Sequence, residues 1–126
     1  MKLPTVEMPD LSAGPRPLAD LVDYRAGSVV SRQLIKKKSG NLTLFAFDAG
    51  EGLSEHTAPF DALVLTLSGA LALTIGGREV RTTPQSVVLM PANVPHAVRA
   101  TEASRMLLVM LREAAAAAPG PRGMTE

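Results

Sequence analysis

From Ser28 onward the chain is a series of short apolar or β-branched runs broken by turn signals, and few architectures accept that pattern. Val29 to Ile35 reads as one strand. Asn41 to Phe47 alternates, with Leu42, Leu44 and Ala46 on one face and Thr43, Phe45 and Phe47 on the other. Leu63–Leu67 and Ala70–Ile75 stand either side of Ser68-Gly69, and Gly76-Gly77 before Arg78 is a two-residue hairpin signal. Arg78–Arg81, Ser86–Met90, His96–Ala100 and Arg105–Leu111 complete the series, while Asp48-Ala-Gly-Glu-Gly52 reads as a turn cluster. Roughly eight or nine short strands at this spacing predict an all-β sandwich or barrel.

The flanks read differently. Residues 1–27 form an N-terminal arm: Pro4, Pro9, Pro15 and Pro17 forbid a long helix, and Leu18 to Tyr24 has spacing for one or two helical turns. A single barrel domain is expected over residues 28–112, and a disordered tail over 113–126, where an alanine run precedes a Pro/Gly-rich end. On 62–68, Leu63, Leu65 and Leu67 share one face and Ala62, Val64, Thr66 and Ser68 the other; 70–75 repeats this, so both faces are largely apolar or small. A lone antiparallel sandwich usually turns one polar face to water. Something is therefore expected to cover the outside. A homodimer is the expectation, with cover by the Pro-rich arm alone as the alternative.

Composition removes several functional classes. Net charge is only +1, and Lys36-Lys37-Lys38, the one basic run, precedes the turn signal Ser39-Gly40-Asn41 and reads as a solvated loop. No nucleic acid and no membrane is expected as a partner. Tyr24, Phe45, Phe47 and Phe60 are the only aromatics, too few for a stacking surface. Without cysteine there is no disulfide, thiolate nucleophile or thiolate metal site. The first ten residues carry no apolar stretch of a secretory signal, and no run is long enough to cross a bilayer, so the cytoplasm is the expected compartment. Gly76-Gly77 lacks phosphate-loop spacing, and neither Ser54 nor Ser68 has an evident base and third partner for a hydrolase triad.

That leaves two histidines, His56 and His96, as the candidate chemical centre. Five residues separate Gly50 from His56, and Gly69 closes that segment; in the second, Pro91 and His96 follow Gln85 and frame Asn93. The paired segments resemble the two motifs of the cupin family, over about residues 41–111. His56 falls on the first motif's first histidine, Ala58 on its second and Ala62 on its glutamate, with Asp61 adjacent. In the second motif Pro91 and His96 match, while Gln85 and Asn93 occupy glycine places and Ala100 an asparagine place. Asn93 suits its place because Asn accepts a left-handed backbone. The resemblance implies a double-stranded β-helix, or jelly-roll, barrel in which His56 and His96 approach one another. It also implies a divalent transition metal (Fe, Mn, Zn or Ni, with Cu the less favoured), although only two of the family's usual four ligands are present.

Three readings follow. In the first, His56, His96 and Asp61 hold a metal and support a dioxygenase or isomerase, since a metal of this kind needs about three protein ligands. Glu55 is the next carboxylate, but beside His56 on a strand it points the other way. In the second, the chain binds a small, mainly apolar molecule in a metal-free pocket. Ala58, Ala62, Val64, Thr66, Met90, Val98 and Met106 line it, and the imidazoles orient the ligand or move a proton. Cupin-like sugar epimerases use histidine so, but Tyr24 lies outside the matched region. In the third, the histidines merely complete the fold. Met106 and Met110, on one face with Leu108, suit copper through thioether sulfur, or simply fill the core.

Overall fold

The computed structural model describes residues 5–113. It is all-β. β1 (Thr5–Val6), β2 (Val29–Lys37), β3 (Gly40–Phe47), β5 (Asp61–Ser68), β8 (Val87–Met90) and β10 (Ser104–Leu111) form a six-stranded sheet in the order β1-β2-β3-β10-β5-β8. β4 (Gly52–His56), β6 (Leu71–Ile75), β7 (Arg78–Arg81) and β9 (His96–Ala100) form a four-stranded sheet in the order β4-β9-β6-β7. All pairings are antiparallel except that of β1 with β2. Neighbours distant in sequence, such as β3 with β10, give the jelly-roll connectivity.

The alternation of β3 sorts its side chains between two cores. Phe45 and Phe47, stacked at 5.7 Å between centroids, face inward with Val64, Leu71, Leu73, Val98 and Met106. Leu44 and Ala46 face outward and are nevertheless buried, because Leu21 and Val22 of the arm lie on them together with Val30. Two arginines tie the arm down: Arg32 donates to the carbonyls of Glu7 and Leu21 at 3.0 Å each, and Arg105 to that of Val22 at 3.0 Å while stacking on Tyr24 at 4.3 Å. The arm thus covers part of the outer face, where Leu67 and Leu107 pack against it. Val87 and Leu89 on β8, and Leu111 at the end of β10, stay exposed.

Several expectations need adjusting. Leu18 to Tyr24 makes only a 3-10 turn, Leu18–Asp20, rather than an α-helical turn. Lys36 and Lys37 belong to the end of β2, so the exposed lysines lie mostly on a strand and not in a loop. Gly52–His56 is a strand that the sequence pattern hides, because it holds one apolar residue, Leu53, and no β-branched one. Gly76 and Gly77 do form the β6–β7 hairpin turn, with φ of 58° and 82°. Residues 114–126, most of the expected tail with its alanine run, lie outside the described residues. Among the described residues no helix is long and apolar enough to cross a membrane.

Both places where the resemblance puts a glycine in the second segment demand a left-handed backbone. Gln85 has φ 69° and Asn93 φ 65°, the only non-glycine positive values among the described residues. Asn93 fits as expected; Gln85 holds the same conformation with a long side chain.

Candidate functional site

His56 is the last residue of β4 and His96 the first of β9, and the two are cross-strand partners in the smaller sheet. A direct pair on adjacent strands brings side chains within contact range. Here the Nε2 atoms stand 3.2 Å apart, with ring centroids at 4.4 Å and planes inclined at 72°. The residues between them, 57–95, include strands of both sheets.

The other nitrogen of each ring is committed to the backbone. His56 Nδ1–H donates to the carbonyl of Ser54 at 2.9 Å, and His96 Nδ1–H to that of Val94 at 3.0 Å. A carbonyl only accepts, so each Nδ1 carries its proton and each neutral ring keeps a lone pair on Nε2. Those lone pairs face each other. Two acceptors cannot bond one another, so the pair is satisfied only by something between them that accepts electron density: a donor hydrogen, a shared proton or a cation.

The pair opens on a chamber of about 110 Å³. Of the residues expected around it, Ala58, Ala62, Met90, Val98 and Met106 line it. Val64 and Thr66 do not: they lie further along β5, Val64 in the core and Thr66 donating to the hydroxyl of the buried Thr82 at 2.8 Å. Leu53, Phe60, Leu108 and Met110 complete the lining. Leu108 and Met110 follow Met106 at two-residue steps on β10, the shared face already legible in the sequence. Leu53 lies within the hidden strand β4 and Phe60 in the loop that follows it, and neither carries such a signal.

His96 is 3 % exposed, whereas His56 stands exposed at the chamber's mouth. There it also lines an open cleft of about 600 Å³ with Leu53, Leu108, Val29, Phe45 and Glu51. His96 thus lies on the buried side of the site and His56 on its exposed side.

Asp61 does not join the imidazoles. Its exposed carboxylate accepts from the N–H of Ala92 at 2.9 Å and lines a separate hollow with Pro59, Asn93 and Leu111. Since Ala62 points into the chamber, its neighbour on β5 must point away. The role of Asp61 is to staple the loop before β5 to the loop before β9, alongside the 2.7 Å bond from Asn93 N–H to the carbonyl of Ala58. Both loops border the histidines. Glu55, exposed on β4 beside His56, is also outside the chamber. Among the described residues no three His, Asp or Glu side chains converge as a metal would require. The ligand set His56, His96 and Asp61 is therefore not assembled, and a divalent ion that needs a carboxylate and a third imidazole does not fit these residues.

Comparison with known proteins agrees with the fold. A family model described as a cupin domain matches residues 43–111. A conserved Streptococcus pyogenes protein of unknown function is 34 % identical, with 82 % of this chain and 90 % of that one covered and a TM-score of 0.78. A cupin superfamily protein from Desulfitobacterium hafniense is 30 % identical over 84 % of this chain and 95 % of that one, with a TM-score of 0.77. A Cupin 2 conserved barrel domain protein from Leptotrichia buccalis is 38 % identical over 75 % of this chain and 46 % of that one, with a TM-score of 0.73. No curated protein matches the chain.

Proposed function

Because this chain belongs to the cupin family, we propose that it binds a small, mainly apolar molecule in the barrel chamber, with His56 and His96 as its polar contact. The observation that carries this reading is the pair of Nε2 lone pairs, 3.2 Å apart, at the edge of an apolar chamber. Binding sites of this kind are largely hydrophobic, with a few placed polar groups that orient the ligand.

The geometry constrains the guest further. Both ring nitrogens that face the chamber are acceptors, so the guest should bring a hydrogen-bond donor such as a hydroxyl. At about 110 Å³ the chamber is smaller than the roughly 150 Å³ cavity known to hold benzene. A ring-sized guest therefore seats only in part, and the rest extends past Leu53, His56 and Leu108 into the cleft, which those residues also line.

Phenol and its methyl ether, anisole, test this by calorimetry or ligand-observed NMR. Phenol is expected to bind at least tenfold more tightly, because the ether leaves the imidazole pair without a donor, worth on the order of 1–3 kcal/mol. His56→Ala and His96→Ala should each remove the preference while the protein stays folded. Equal affinity for the two probes, or binding by neither, would overturn the reading. If the histidines served only to finish the fold, the alanine variants would change stability alone.

A further inference from the structure

We infer that the chamber is also a site for a soft monovalent cation, Cu(I), held by Nε2 of His56 and of His96 together with methionine sulfur from the facing sheet. The inference rests on the reading of the two Nε2 atoms as the polar centre of a binding chamber.

Its first support is where the methionines lie. The chain has six, and all three that fall within the barrel, Met90, Met106 and Met110, line this one chamber. The strand register explains two of them: Ala62 on β5 is paired with Met90 on β8 and with Met110 on β10, so a small residue lies between two long thioethers. Met106 enters from the same face of β10 and is fully buried. Methionine used only as core filler would be expected elsewhere in the barrel core as well. Instead the rest of that core is Val, Leu, Phe and Ala.

The second support is the geometry of the nitrogens. With a metal–nitrogen bond of about 2.0–2.1 Å, the 3.2 Å separation corresponds to an N–metal–N angle of roughly 100–105°. That is close to tetrahedral and leaves positions for sulfur. The bonds from Nδ1 to the carbonyls of Ser54 and Val94 fix the tautomer and aim of each ring, as outer-shell partners do around metal-bound histidine.

The third is charge. None of the chamber's lining residues is a carboxylate. Desolvation cost rises with the square of the charge, so a divalent ion costs about four times as much to bury here as a monovalent one. Thioether sulfur with imidazole favours Cu(I), whereas hard divalent ions prefer oxygen. Ala58 and Ala62, which offer no ligand to a hard ion, line the same chamber as the three methionines.

The test is anaerobic titration of the full chain with Cu(I) against a competing chromophoric chelator, with Zn(II) and Mn(II) in parallel. We expect one Cu(I) per chain, bound at least tenfold more tightly than Zn(II), with sulfur in the coordination sphere by X-ray absorption. The volume-conserving triple variant Met90→Leu, Met106→Leu, Met110→Leu should lower Cu(I) affinity tenfold or more while the circular dichroism of the folded protein is retained. Zn(II) binding as tightly as Cu(I), or an unchanged Cu(I) affinity in the triple variant, overturns the inference. Phenol uptake without Cu(I) binding also overturns it and leaves the small-molecule reading standing; loss of both, in protein that is folded by circular dichroism, removes the site altogether.

Discussion

Gly52→Ala is expected to cost on the order of 3 kcal/mol and to separate the two imidazole rings. Gly52 opens the strand that ends in His56 and is paired with Arg99 on the strand that begins with His96. A Cβ at this position would fall against the carbonyl oxygen of Val98 and within 2.9 Å of the Arg99 Cα. Both are backbone atoms, and neither can turn aside as a side chain would. Inserting one carbon into packed structure costs about 1–3 kcal/mol and occasionally more, and a clash with main chain belongs at the upper end. β4 is an edge strand held on one side only, by β9, so the strain is relieved by peeling it away. His56 would then leave His96. Chemical denaturation should read the loss, with a midpoint in heating about 10–20 °C lower. A stability within 1 kcal/mol of the parent, with phenol binding intact, would show that β4 is not wedged as described.

Gly69→Ala is expected to be at least as severe, for three separate reasons. Gly69 has φ 80°, a left-handed value that costs a residue with a Cβ roughly 1–2 kcal/mol. The added carbon would strike the Ser104 hydroxyl and the Ala103 carbonyl, and approach the Ser104 Cα to 2.8 Å. Ser104 is fully buried, and its hydroxyl accepts from Ala70 N–H at 3.0 Å while donating to the Glu102 carbonyl at 2.7 Å. Displacing it leaves a buried amide unsatisfied, worth on the order of 1–3 kcal/mol. Together these predict a loss of about 3–6 kcal/mol, enough to unfold a domain of ordinary stability. Ser104→Ala isolates the hydrogen-bond share and should cost about 1–3 kcal/mol. Soluble, cooperatively folded Gly69→Ala with near-parental stability would contradict this account of the β5–β6 corner.

How far the sequence could be read depended on what kind of signal each element carried. β3, β5, β6 and β10 alternate visibly, so their faces could be read directly, and the inward placement of Ala62, Met90, Val98 and Met106 followed from face and motif position together. Alternation says which side of a sheet a residue takes but not how far along the barrel it lies. That is why Val64 and Thr66, on the same face of β5 as Ala62, sit beyond the chamber rather than in it. β4 was hidden because a strand at the barrel's mouth, exposed along Ser54, Glu55 and His56, needs little apolar patterning. The outward position of Asp61 is legible in the same alternation. Placing Ala62 inward obliges Asp61 to face out, and closeness in sequence to a motif position is not closeness in space. The meeting of His56 with His96 was accessible only through the family resemblance, since a direct pair across β4 and β9 is a matter of long-range register.

Long-range proton–nitrogen NMR of the two imidazoles tests the central claim most directly, and with only two histidines in the chain its assignment is straightforward. Under alkaline conditions both rings should hold their proton on Nδ1, the minor tautomer of free histidine, and should show ring-to-ring Overhauser contacts. Donor guests or Cu(I) should then move both Nε2 resonances together. Protons on Nε2, or two rings without contact that respond independently, would contradict the convergence of His56 and His96 on one guest.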